Sequence, residues 1–133
     1  MIISKDIKFD CAHMLSQYEG KCANLHGHTY HGTVTIEGDT DVGTGMVLDY
    51  NEIKKVVDRY DHAIIFSSID FRGVAENNLL RWAETHKMRH VDLPFGKSTA
   101  ETLALTIAEE FQRYGKVTVR LSETDGSWAE AHA

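Results

Sequence analysis

His28-Thr-Tyr30-His-Gly32-Thr-Val34-Thr-Ile36-Glu37 decides the fold, because Tyr30, Gly32, Val34 and Ile36 share one parity while Thr29, His31, Thr33, Thr35 and Glu37 occupy the other. Period-two alternation of this kind puts one face of a strand against a core and leaves the other wet, as in an antiparallel sheet. Upstream, Ile3, Ile7, Phe9 and Cys11 alternate with Ser4, Asp6, Lys8 and Asp10, with Lys5 as the one charged residue on the apolar parity. His13 closes this first strand on its inner parity. A loop containing Gly20 joins the two.

Downstream, the loop Gly38 to Gly45 leads into Asn51 to Tyr60, where Ile53, Val56, Val57 and Tyr60 have the spacing of an amphipathic helix. Asp49 and Glu52 are placed to cap its start. A shorter helix is expected from about Glu76 to His86, with Leu79, Leu80, Trp82 and Ala83 on its apolar side, followed by a loop containing Pro94 and Gly96. Ser98 and Glu101 form a capping-box pattern ahead of the stripe Leu103, Ala104, Ile107, Ala108 and Phe111, which Gly115 ends. Val117, Val119 and Leu121 then mark a third strand, and Ser127 to Ala131 a fourth after the turn at Asp125 and Gly126. The expected architecture is α+β: a four-stranded antiparallel sheet with helices on one face, in the order strand, strand, helix, helix, strand, strand.

At 133 residues and 15.0 kDa the chain fits one domain spanning 1–133. Hydrophobic residues make up 42% and charged residues 26%, without low-complexity segments or repeats, which argues against disorder. The alternation from Met1 to Phe9 does not read as a secretory leader, and no stretch approaches ~20 consecutive apolar residues. A cytoplasmic, non-membrane protein is expected, with Cys11 and Cys22 as free thiols. A net charge of −6 without a basic stripe argues against nucleic acid as a partner but not against a phosphorylated small molecule.

Eight histidines are more than a chain of this length usually carries, and their placement matters more than their number. His26 and His28, two apart on an extended segment, project to the same face, with Gly27 between them leaving room for close approach. Antiparallel pairing brings the end of the first strand, at His13, beside the start of the second. Three neutral imidazoles converging at about 2.0–2.1 Å suit zinc with a fourth position open. A lone His-x-His on a strand is more often a surface pair, and His13 alone a buried hydrogen-bonded histidine. The shared inner parity at strand ends is what favours the metal. His31 has the opposite parity, and His86, His90 and His132 have no supporting context.

Taken together, Phe9-Asp-Cys-Ala-His13, Cys22-Ala-Asn-Leu-His26-Gly-His28, Gly45-Met-Val-Leu-Asp49-Tyr50, Asp61-His62, Ser98-Thr-Ala-Glu101 and Glu123-Thr-Asp125 resemble the signatures of the 6-pyruvoyltetrahydropterin synthase superfamily. They run in the family's order over nearly the whole chain. The three-residue gap between Cys22 and His26 is similar to that of the bacterial 6-carboxytetrahydropterin synthases of the queuosine pathway, and a Cys in place of a Glu speaks against the folate-pathway branch. The resemblance implies the tunnelling fold, a homo-oligomer that is commonly a hexamer, and active sites between subunits.

It further implies a zinc ion on His13, His26 and His28, and Cys22 as the base that acts on 7,8-dihydroneopterin triphosphate. A nearby cation would be needed to raise the thiolate fraction of such a cysteine. Asp61 and His62 would be a second acid/base unit, placed by the family across the subunit interface. The products would be 6-carboxy-5,6,7,8-tetrahydropterin, acetaldehyde and triphosphate. Glu123 follows Val117, Val119 and Leu121 on the inner parity, so a carboxylate is carried into a buried strand end, where the pterin's 2-amino and N3-H donors match its two oxygens. Thr99 and Glu101 would also contact the pterin by resemblance, although a helix cap accounts for that segment equally well. Capping likewise suffices for Asp49, and core packing for Cys11.

The chain departs from the family's pattern at Ile65 and Phe66, where Leu-Asn is usual, and at Tyr60, where a Leu commonly stands. Its segment from Phe71 to Phe95 is longer than in compact members and bears on substrate choice. Two rival readings stand beside the carboxy enzyme: a 6-pyruvoyltetrahydropterin synthase on the same site, and a metal- or pterin-binding scaffold without turnover.

Overall fold

The computed structural model describes residues 1–133. Its six strands are β1 (Ile2–His13), β2 (His26–Glu37), β3 (Ala63–Phe66), β4 (His90–Asp92), β5 (Lys116–Thr124) and β6 (Ser127–His132). Three helices intervene: α1 (Tyr50–Asp58), α2 (Val74–Thr85) and α3 (Ala100–Glu109). The strands form one sheet in the order β4-β3-β1-β2-β5-β6. β1, β2, β5 and β6 pair antiparallel, as the alternation predicts, whereas β3 lies parallel to β1 and β4 parallel to β3. The sheet is therefore six-stranded and mixed rather than four-stranded and antiparallel; the three helical segments read from the spacing are all present, one more than the order strand, strand, helix, helix, strand, strand holds.

The inner face of the sheet, formed by Ile7, Phe9, Tyr30, Val34, Ile36, Val117, Val119 and Leu121, packs on Ile53 and Val57 of α1 and on Leu103, Ala104, Ile107 and Ala108 of α3. Removing this apolar surface from water, at about 25 cal/mol per Å², is the main force holding the two layers together. Asp49 caps α1 by accepting the Asn51 N–H at 2.8 Å. α3 is capped by Thr99, which accepts the Thr102 N–H at 3.3 Å; such a cap contributes about 1 kcal/mol. The cap thus falls one residue beyond Ser98, whose own groups are engaged elsewhere.

α2 corrects the expectation that the helices share one face. Ala63 and Ile65 of β3 join the main core, while Phe66 packs with Leu80 and Ala83 of α2, and Ile64 lies against the same cluster. Since side chains alternate across a strand, α2 covers the opposite side of β3. Being buried on both faces, Ala63–Phe66 is apolar throughout and shows no alternation.

Gly32 is required by close packing in the middle of β2. A Cβ there would lie 2.1 Å from the Arg120 carbonyl oxygen of β5. No helix is long and apolar enough to cross a membrane.

Candidate metal centre and active site

The antiparallel register of β1 and β2 sets His13 opposite His26 and Cys11 opposite His28. All four therefore face the inner side at one end of the sheet. The three imidazoles form a closed triangle, with ring centroids 4.6 Å apart for His13 and His26, 4.8 Å for His26 and His28, and 5.2 Å for His13 and His28. β5 adds Glu123, on the parity of Val119 and Leu121, within the irregularity between Ser122 and Thr124. One donor atom from each of His13, His26, His28 and Glu123 lies within 4.8 Å of all the others, a group that could hold a metal ion.

The donor set fits a metal in several respects. His13 donates its Nδ1–H to the Ser98 carbonyl, and His26 donates its Nδ1–H to the Asn24 carbonyl at 2.7 Å. Each bond fixes the tautomer that leaves Nε2 as a lone pair, the usual outer-sphere arrangement of metal-bound histidine. These two Nε2 atoms are 3.1 Å apart, close to the roughly 3.3 Å between nitrogens sharing a tetrahedral zinc at 2.0–2.1 Å. His28 Nε2 is buried without a well-directed hydrogen bond, although Glu123 Oε1 stands 2.7 Å from it. With Nε2 unprotonated the two atoms present lone pairs to each other, an arrangement that a shared cation would relieve.

Burial pushes the His13 imidazole below its ordinary value, against the opposing effect of the Ser98 carbonyl. Burial likewise lowers His28, partly offset by the Glu123 charge. Both effects favour neutral rings, the form that ligates metals. Burial above all, then the charges of Glu123, Cys11 and Glu101, pushes the Tyr30 phenol up and keeps it neutral beside the cluster.

Cys22 lies half-buried in a single helical turn, Lys21–Ala23, of the β1–β2 loop. Its carbonyl accepts the Leu15 N–H at 2.8 Å, and two residues on, Asn24 orients His26. Cys11, also a free thiol, is buried in the core, which pushes its pKa up to about 12. The two cysteines are thus chemically distinct.

Asp61 and His62 are brought together but not to the cluster. His62 Nδ1 is 3.0 Å from Asp61 Oδ2, and Asp61 Oδ1 accepts the Asp10 N–H at 2.9 Å. That backbone bond is the main reason the Asp61 carboxyl is held below its usual range, with His62 and Arg89 adding to it. His62 adopts φ 57°, and its ring is largely exposed among Asp10, Ala12, Gly27 and Thr29, on the outer face of the sheet. The sheet itself therefore separates the pair from the histidine cluster within one chain. Arg89 supports the turn by bonding the Asp58 and Asp61 carbonyls.

Thr99 and Glu101 are not among the converging donors: the Thr99 hydroxyl is committed to its cap, and Glu101 is exposed in the first turn of α3. Ser67 and Glu76 have no signature in the sequence, and Ser98 and Asn24 stand in motifs without showing their role, because each meets its partner through a backbone group that folding alone brings close. The other histidines have ordinary surface roles. His132, for instance, faces Glu130 and Thr118, and His86 packs on Trp82.

Comparison with known proteins agrees with this geometry. The family described as "6-pyruvoyl tetrahydropterin synthase" matches residues 2–133. A 6-carboxy-5,6,7,8-tetrahydropterin synthase of Haemophilus influenzae is 34% identical over 139 residues, covering 96% of each chain. A 6-pyruvoyl tetrahydrobiopterin synthase of Pongo abelii is 31% identical, covering 94% of this chain and 86% of the other. Among solved structures, the 6-pyruvoyl tetrahydropterin synthase of Plasmodium falciparum shares the fold with a TM-score of 0.63 at 20% identity, over 100% of this chain and 97% of its own.

Proposed function

The chain belongs to the 6-pyruvoyl tetrahydropterin synthase family, and from that premise we propose that it is a lyase converting 7,8-dihydroneopterin triphosphate and water to 6-carboxy-5,6,7,8-tetrahydropterin, acetaldehyde and triphosphate. The observation that carries the reading is the convergence of His13, His26 and His28, two of them tautomer-locked, beside a carboxylate on the inner face. The whole chain, 1–133, acts as one catalytic domain in the cytoplasm, supplying an early step of queuosine or another deazapurine.

His13, His26 and His28 hold zinc through Nε2. When bound, the ion stabilises negative charge developing on substrate oxygen. Glu123 anchors the pterin: its carboxylate accepts from the 2-amino and N3–H groups, the pairing of two donors with two oxygens that a charge-assisted bidentate contact favours. Cys22, on the loop beside the cluster, takes the proton from the side-chain carbon. Asp61 orients and charges His62, which returns protons as the second acid/base group. Because Asp61 and His62 lie on the outer face, a neighbouring copy supplies them, so the working form is a homo-oligomer, with a hexamer expected. Thr99 and Glu101, at the start of α3, line the pterin side of the pocket.

The 6-pyruvoyl product is the second reading, supported by the likeness to the Pongo abelii protein. The three-residue gap between Cys22 and His26 favours the carboxy product. Zinc-loaded protein incubated with 7,8-dihydroneopterin triphosphate, with products identified by mass, tests the proposal. Acetaldehyde with 6-carboxytetrahydropterin supports it; 6-pyruvoyltetrahydropterin establishes the alternative; intact substrate with zinc bound leaves a non-catalytic scaffold.

A further inference from the structure

Glu76, in the first turn of α2, is 1% exposed, and none of the chain's ion pairs includes it. A carboxylate buried without a cation is costly, so its hydrogen bonds should serve a purpose beyond filling space. Its Oε1 accepts the Ser67 N–H at 2.7 Å, and Arg72 Nε donates to the Ser67 carbonyl at 2.7 Å. The Ser67 peptide is thereby gripped from both sides. Its Oγ in turn accepts the Ser98 N–H at 3.0 Å, and the Ser98 carbonyl accepts the Nδ1–H of His13. Ser67 and Ser98 are themselves buried.

The second oxygen of Glu76 faces the other side of the site. Ser16 Oγ lies 3.4 Å from Oε2 and accepts the Gly73 N–H at 3.2 Å. Ser16 belongs to the loop that carries Cys22. One carboxylate on α2 thus meets both the mount of His13 and the loop of Cys22.

We propose that Glu76 is a positioning residue for the metal centre, acting through Ser67 and Ser98 to fix the ring of His13, and through Ser16 to hold the Cys22 loop. The inference rests on the assignment of His13 as a metal ligand. It gives the long segment between β3 and α3 a role as a buttress rather than only a pocket rim. A rigid mount for the acceptor of His13 Nδ1–H keeps Nε2 aimed at the cluster, and loss of such outer-sphere support commonly weakens metal binding by about 10–100-fold.

The test uses the full chain with Glu76→Ala, Glu76→Gln and Ser67→Ala. Zinc affinity is measured by competition with a chromophoric chelator, and the His13 tautomer by long-range proton–nitrogen spectra of the metal-free protein. Glu76→Ala and Ser67→Ala should each weaken zinc binding about ten-fold and turn the single Nδ1–H tautomer into a mixture. Glu76→Gln should retain both properties, since its amide oxygen still accepts the Ser67 N–H. Should Glu76→Ala fail to fold, Ser67→Ala still decides, because it removes the two Oγ contacts to Ser98 and leaves the Ser67 backbone in place. Wild-type affinity and a wild-type tautomer in the folded variants, with a lowered Tm alone, would overturn the proposal. A wild-type chain that binds no zinc would overturn the metal reading instead, leaving the tautomer comparison to decide the role of Glu76.

Discussion

The Nε2 atoms of His13 and His26 face each other at 3.1 Å across directly paired positions of β1 and β2, while both Nδ1 atoms are tied to backbone carbonyls. Two lone pairs held this close are relieved only by a proton or a cation between them. Zinc titration should therefore show one tight site per chain and raise Tm. His26→Ala should weaken that site by more than about 100-fold, beyond the loss typical of an outer-sphere change. Unaltered affinity in His26→Ala would place the metal elsewhere.

Glu123 is close enough to His28 to be a fourth ligand, yet its proposed role is to anchor the pterin. Glu123→Gln separates the two. A hydrogen bond to a charged group contributes about 1.5–3 kcal/mol, so an anchor should raise KM for the pterin substrate by roughly 10–100-fold with zinc affinity kept. Loss of zinc at unchanged pterin affinity would make Glu123 a ligand.

The two thiols should react very differently. At pH 8, iodoacetamide should modify Cys22 and abolish turnover while Cys11, buried, stays intact. The Cys11 pKa is raised from 9.0 to about 12 in the fold, so the native thiol holds its proton after the unfolded one has lost it. Its contribution to stability is fully present below pH 9 and is lost as pH rises toward 12. Cys11→Ala should flatten the alkaline decline in urea-unfolding stability over that window; an unchanged slope would show that Cys11 ionises freely in the native state.

Separation of Asp61 and His62 from the cluster by the sheet predicts complementation between chains. Cys22→Ala and His62→Ala should each lose activity by about 10²–10⁴-fold as homo-oligomers. Co-expressed and randomly assembled, they should recover about a quarter of wild-type activity, the share of sites that draw an intact Cys22 from one variant and an intact His62 from the other. No recovery would mean that each chain completes its own site.

Much of this architecture is legible in the sequence, and the exceptions have physical reasons. β1, β2, β5 and β6 declare themselves because one face of each is wet, so polarity alternates; the His13, His26 and His28 triad follows from that alternation plus antiparallel pairing. β3 hides because α2 covers its second face and removes the alternation, and β4 because three residues, His90–Asp92, hold no period. Ser98 resembles the first residue of a capping box, but burial recruits its N–H and carbonyl to Ser67 and His13 and passes the cap to Thr99. Glu76 reads as an ordinary first-turn acid on a helix, and only the tertiary fold sets it against Ser67.

The most direct test of a catalytic metal centre at His13, His26 and His28 is acetaldehyde release from 7,8-dihydroneopterin triphosphate by chelator-stripped protein during stepwise return of zinc. Turnover should be absent at the start and rise linearly to a plateau at one zinc per chain, with His13→Ala inactive throughout. Full turnover by the stripped protein, or by zinc-loaded His13→Ala, would contradict the account.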